Sequence, residues 1–175
     1  LSSLVGSEMC IRDSTTMLPQ TIRFNNDGTK MYLTEAVINT TDPQESVGVV
    51  QYNLATPFVP SSTTTVQVLN LRAQFPKTNK AIHAMNFDDD GTRMYVSAGN
   101  FNPETDHPHA VYELSIPFEI SSAKHVGTFN FVNASGGGVR AVGGVFSEDG
   151  NKYYMTTGDG DSVVEYTLTL SLIHI

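Results

Sequence analysis

From residue 18 to residue 170 the chain is built of short runs of alternating apolar and polar positions, each closed by a Gly- or Pro-containing turn. Period-2 alternation over four to eight residues marks half-buried strands. The runs recur. IRFNNDGTKMYLT at 22–34, MNFDDDGTRMYVS at 85–97 and GVFSEDGNKYYMT at 144–156 align without gaps, and their anchors Phe24, Phe87 and Phe146 lie 63 and 59 residues apart. A second segment follows each: VVQYNL (49–54), AVYELS (110–115) and VVEYTL (163–168). A third occurs twice, TPFVPSSTTTVQVL (56–69) and IPFEISSAKHVGTF (116–129), with Phe58 and Phe118 each six residues after Tyr52 and Tyr112. Three elements recurring in the same order define a repeat.

Each element has a local physical reading. Asp27-Gly28, Asp90-Gly91 and Asp149-Gly150 are hairpin turns in which Gly takes positive φ and Asp bonds back to the backbone. Met31 and Leu33 alternate with Tyr32, and Met94 and Val96 with Tyr95, so each outgoing strand shows one set of side chains to each face. The Tyr-x-Leu segment is a third strand and the Pro-Phe turn ends it. A fourth strand runs through Val66–Leu69 or Val126–Phe129. Four strands in roughly 60 residues predict a propeller blade. The spacing from anchor Phe to anchor Tyr varies (28, 25 and 20 residues), while that from Tyr to the next Phe is nearly constant (35 and 34). The variation therefore falls between the second and third strands.

Composition narrows the function classes. Charged residues are 16% of the chain and hydrophobic residues 39%, with Thr, Ser, Gly and Asn abundant, which favours strands and tight turns. No run of 18 apolar residues exists, so no membrane-inserting helix is expected. The net charge of −8 and the lack of any Lys/Arg cluster argue against nucleic acid or an anionic membrane as partner. Cys10 is the only cysteine, which excludes a disulfide within the chain but leaves the compartment open.

Taken together the segments resemble a family of β-propeller repeats, of the YVTN/lactonase-like type, common in marine bacterial, phage and environmental sequences. The resemblance covers residues 18–170. It departs at Ala55-Thr56 and Ser115-Ile116, where Ser-Thr is the family's usual lead into Pro-Phe, and after Leu168, where a further Pro-Phe turn would be due. LSSLVGSEMCIRDS at 1–14 and SLIHI at 171–175 resemble translated sequencing-adapter DNA, as in a metagenomic fragment. Residues 1–16 and 171–175 are therefore expected to be non-native, and no chemistry is read into Cys10, Arg12, Asp13 or His174. The expected fold is all-β: a partial β-propeller of four-stranded antiparallel blades, about two and a half to three of them in an open arc. Blades are placed at 17–70, 80–130 and, incomplete, 138–170. A β-sandwich also fits short strands and turns, but it does not predict the repeat. Three blades do not close a ring of four to eight, so faces at the two ends of the arc are expected to be uncovered.

Candidate chemistry is thin. Asp88-Asp89-Asp90 could suggest a cation loop, but Asn25-Asn26-Asp27 and Ser147-Glu148-Asp149 occupy the same turn, which points to turn geometry. Asp159 and Asp161 lie two apart among glycines and are a weak candidate for Ca2+ or another divalent metal, alongside an ordinary hairpin turn. His107-Pro108-His109 is the densest cluster of potential ligands, read chiefly as a solvated loop. His83 sits four residues before Phe87, where the other repeats have Gln20 and Val142, and is read as a structural or tunnel-mouth residue. Arg140, beside the Gly136–Gly138 crossing, could meet a carboxylate or an anionic ligand. No nucleophile elbow or phosphate loop occurs. No catalytic residue and no cofactor is predicted. The leading expectation is a non-catalytic module whose loops bind protein or glycan at a cell, virion or secreted surface, packed against the remaining blades of a parent chain. A lactonase-like, metal-dependent hydrolytic propeller and a structural spacer are the alternatives.

Overall fold

A computed structural model describes residues 17–37, 48–71, 73–75, 80–100, 108–130, 141–147, 151–157 and 162–167. Strands β1 (Met17–Phe24), β2 (Lys30–Val37), β3 (Gly48–Leu54) and β4 (Thr63–Asn70) form one antiparallel sheet in sequential order. β5 (Lys80–Phe87), β6 (Arg93–Asn100), β7 (Pro108–Leu114) and β8 (Ala123–Asn130) form a second. β9 (Ala141–Phe146), β10 (Lys152–Thr157) and β11 (Val163–Thr167) form a third, three-stranded among the described residues. These are blades 1, 2 and 3 of an all-β, open propeller arc. β1, β5 and β9 lie along its inner side, where β5 touches both of the others.

The Asp-Gly turns form because Gly28 and Gly91 reach φ +72° and the side chains around them replace lost backbone partners. Asp27 accepts from the Thr29 amide (2.9 Å) and hydroxyl (2.6 Å), and Asn25 Oδ1 accepts from the Lys30 amide (2.9 Å). In blade 2 Asp90 and Asp88 play the same parts toward Thr92 and Arg93. In blade 3 Ser147 Oγ accepts from the Lys152 amide (2.9 Å). The Thr29 hydrogen bonds hold Asp27 below the usual carboxylate range, and those of Thr92 do the same for Asp90. Burial pushes Asp88 up. The acidic cluster 88–90 thus serves the turn.

The Pro-Phe turns hold a feature the sequence does not announce. Phe58 and Phe118 lie in the left-handed region at φ 59° and 58°, costly for a large side chain. Each donates its amide to the carbonyl of the turn glycine, Gly28 or Gly91, at 2.9 Å, and lays its ring where a Cβ on that glycine would stand. Turn glycine and αL phenylalanine are therefore one unit, repeated in blades 1 and 2.

Strand alternation decides which face packs where. Tyr32, Val49, Ile82, Met85, Met94 and Val96 belong to the main core, shared by blades 1 and 2. Met31, Val50 and Tyr52 pack on the other face of blade 1 and remain buried, so that face is less bare than expected for the end of an arc. Tyr153 and Met155 pack with Phe129, Phe146 and Tyr166 at blade 3. Exposed aliphatics do occur at the arc's ends: Ile22 (51%), Val145 (55%) and Val163 (71%). Of the expected anchors, Tyr52 and Tyr112 are fully buried, whereas Phe24, Phe87, Phe146 and Tyr166 are partly buried.

Candidate functional site

In blades 1 and 2 the second strand ends and the third begins at the end of the blade opposite the Asp-Gly and Pro-Phe turns, because consecutive strands run antiparallel. At that end each inner strand is bulged at the same repeat position. The register skips Gln20 between Pro19 and Thr21, His83 between Ile82 and Ala84, and Val142 between Gly143 and Ala141. A bulge re-aims a side chain and bends its strand, and bulges concentrate at rims and sites. The three bulge residues nevertheless do not make a ligand set. Gln20 and Val142 are exposed while His83 is only 4% exposed, and its carbonyl accepts from Thr21 Oγ1 at 2.7 Å. Of the two readings of His83, structural or tunnel-mouth, this burial accords with the structural one: it lies inside the contact between blades.

His109 is also corrected. It is not in a solvated loop but on β7, 3% exposed, directly opposite Ser97 on β6. Pro108 begins the strand, a position where proline's missing N–H does no harm. His109 Nδ1 lies 2.7 Å from Ser97 Oγ, and its ring stacks on Phe129 with centroids 5.4 Å apart. His107, Arg140, Asp159 and Asp161 lie outside the described residues, as do Gly136–Gly138.

What the structure does assemble is a polar seam joining the three blades. Arg23 on β1 donates from Nε to Asn86 Oδ1 on β5 (3.3 Å) and from Nη2 to the Gly144 carbonyl on β9 (3.4 Å). Burial pushes the Tyr153 phenol up, against the opposing pull of Ser97, Arg23 and Asn86 nearby. Arg23, Asn86, Tyr153, Ser97 and His109 thus form a chain of polar contacts through all three blades. A serine hydroxyl at hydrogen-bond distance from an imidazole is the start of a nucleophile pair. Here, however, Ser97 is 4% exposed and His109 3%, and a nucleophile must reach a substrate atom at about 3 Å. The seam is placed to fix blade against blade.

A second seam joins the turn of blade 2 to blade 1. Glu119 Oε2 is 2.8 Å from Lys30 Nζ, Tyr32 Oη donates to the Phe118 carbonyl (2.6 Å), and the Ile120 amide donates to Gln51 Oε1 (2.9 Å). Partial burial would raise Glu119, but the hydrogen bonds from Lys30 and Gln51 and the Lys30 charge outweigh it and hold the carboxyl low. Burial pushes the Tyr32 phenol up. Sequence reasoning missed Arg23 and Gln51. The available signal was that each is a polar residue in a strand where its repeat partners are Asn86 and Val145, or Val111 and Glu165.

Among the described residues no group of three or more His, Cys, Asp or Glu side chains is placed to hold a metal, and no helix is long and apolar enough to cross a membrane. A shallow groove of about 450 Å3 lies on blade 2 between Arg93, Glu113, Leu114, Ser115 and Lys124.

No protein-family model matches the chain, and no curated protein matches it. Among solved structures it is similar to a Bacteroides fragilis protein described as a candidate 6-phosphogluconolactonase, at 15% identity and a TM-score of 0.55. The match covers 87% of this chain but 35% of that one, so the chain spans about a third of the length of the structure it resembles. At this identity the likeness concerns the fold, a distant and partial match to a lactonase-like propeller.

Proposed function

We propose that the chain is a non-catalytic propeller module that presents its second-to-third-strand connections for binding a protein or glycan at a cell, virion or secreted surface. One observation carries the reading. The Ser97–His109 pair, His83 and Tyr153 are at most 4% exposed and lie where blade meets blade, while the copies of the repeat differ most in the length of the connection between their second and third strands. Those connections differ in length while the strands around them keep register, the usual arrangement of a scaffold with a variable surface. The net charge of −8 suits a soluble module without affinity for polyanions. No cofactor is needed by this reading.

The test is a glycan array and a protein-capture screen with the intact chain, followed by replacement of residues 38–47 with a Gly-Ser linker of equal length. Binding should be lost with the melting curve preserved. A second reading, hydrolysis of a lactone, is favoured by the structural likeness alone. It would displace the first if sugar lactones were turned over above the blank, and if chelation stopped turnover and Ca2+ or another divalent ion restored it.

A further inference from the structure

Blades 1 and 2 each carry an Asp-Gly link at the tip of their first hairpin, Asp27-Gly28 and Asp90-Gly91. Both aspartates are exposed, while both glycines are buried. Such a link has a reaction of its own. The glycine nitrogen bonds to the aspartate Cγ, the amide proton leaves with the carboxyl hydroxyl as water, and a cyclic imide closes. Water then opens the ring at either carbonyl. Opening at Cγ restores aspartate; opening at the main-chain carbonyl leaves the chain running through the side chain, as isoaspartate. One water leaves and one enters, so no co-reactant is needed. Two conditions govern closure. The carboxyl must be protonated, because a carboxylate is a poor electrophile. The glycine nitrogen must also be free to swing onto Cγ, which the missing Cβ of glycine ordinarily permits.

The turns oppose both conditions. Asp27 Oδ1 accepts from the Thr29 amide (2.9 Å) and hydroxyl (2.6 Å), and Asp90 Oδ1 accepts from those of Thr92 at the same distances. Donors on a carboxylate favour its ionised form, and both carboxyls are held below the usual range. On the other side of the link, the Gly28 amide donates to the Asn25 carbonyl and the Gly91 amide to the Asp88 carbonyl, each at 3.1 Å. The carbonyl of each glycine is pinned by the Phe58 or Phe118 amide at 2.9 Å, and the ring of that phenylalanine fills the space where a Cβ would stand. The phenylalanine thereby supplies the bulk that the glycine lacks. We infer that Asp27-Gly28 and Asp90-Gly91 are latent isomerisation sites, which Thr29 and Thr92 guard at the carboxyl and Phe58 and Phe118 at the amide. Conversion at Asp90 inserts one main-chain carbon before Gly91 and draws its carbonyl away from Phe118, whose own carbonyl accepts from Tyr32 of blade 1. The link is thus a place where covalent ageing loosens the joint between blades. This inference is independent of the function proposed above.

The test follows isoaspartate in the intact chain by peptide mapping, in which isomerised peptides shift in elution at unchanged mass. Folded protein at neutral pH is compared with the same protein in guanidinium chloride. Both links should convert at least about tenfold more slowly in the folded chain. Thr92→Val removes the hydroxyl bond and keeps the amide bond. It should raise conversion at Asp90 about threefold to tenfold and leave Asp27 at the parent rate. Thr29→Val should do the reverse, and Thr92→Ser and Thr29→Ser should return the parent rates. Phe58→Gly removes a ring without asking another side chain to hold φ 59°, and should raise conversion at Asp27 alone. In each variant the unaltered turn is the control for folding. The inference is overturned if folded and unfolded chains convert alike, or if either Thr→Val change speeds both links together. It is equally overturned if Thr29→Val, Thr92→Val or Phe58→Gly leaves its own link at the parent rate.

Discussion

Phe87→Ala tests whether the arc is held together by aromatic contacts between blades. Phe87 ends an inner strand, and its ring lies between Tyr32 of blade 1 (4.7 Å) and Phe118 of its own blade (5.3 Å). Removing it deletes both ring pairs and opens a void beside the main core. Phe-to-Ala changes in cores cost about 3–5 kcal/mol. Because Phe87 is partly rather than fully buried, the lower end applies, about 3 kcal/mol. For a chain of this length that corresponds to a fall in Tm of about 6–12 °C. The chain has no tryptophan, so far-UV circular dichroism and the emission of its 7 tyrosines are the probes for a urea titration. In a repeat array stability is a sum of unit and interface terms, so weakening one interface should also broaden or split the transition. A loss below about 1 kcal/mol with an unchanged, single transition would refute the assignment of Phe87 to the joint between blades.

Three further outcomes follow from the geometry. Gly91→Ala forces a side chain into φ +72° and against the Phe118 ring, and should cost about 2–4 kcal/mol in the same urea titration. Gly127→Ala, with open space around its Cβ position, should be neutral or stabilising by up to about 1 kcal/mol, and the two variants together separate turn strain from a general intolerance of alanine. Glu119 has a folded pKa held below the ordinary 4.5, so its contribution is present above pH 4.5 and is lost as pH falls through the lower folded value. Glu119→Gln should therefore be less stable than the parent by about 1–2 kcal/mol at pH 7, with the gap closing in acid; a gap that persists unchanged well below pH 4 would rule out the Lys30 pairing as its source.

The strands, the turns and the repeat were legible in the sequence because they are written in local chemistry: period-2 alternation, Asp-Gly and Pro-Phe. What was not legible is which face meets which neighbour. His109 reads as a loop residue because His107 and Pro108 precede it, yet Pro108 opens β7 and the ring turns inward to Ser97. The positive φ of Phe118 cannot be guessed from a phenylalanine, and its cause, the bare glycine beneath the ring, lies 27 residues earlier.

The positions where the copies disagree carry the rest of the information. At one such position stand Arg23, Asn86 and Val145, at another Gln51, Val111 and Glu165, and at a third Gln20, His83 and Val142. In the first two sets one copy carries a side chain that is tied to a neighbouring blade: Arg23 to Asn86 and Gly144, and Gln51 to Ile120. Burying such a group is favourable only with its partner in place, so each polar departure from the repeat is matched to one neighbour and penalises any other. The shared residues make every blade alike, and the departures fix their order around the arc. A swap of residues 22–34 with 85–97 would retain every strand and turn signal. It would also exchange Arg23 with Asn86 while leaving Gly144 and Gln51 in place, and should fold into blades that dock less tightly.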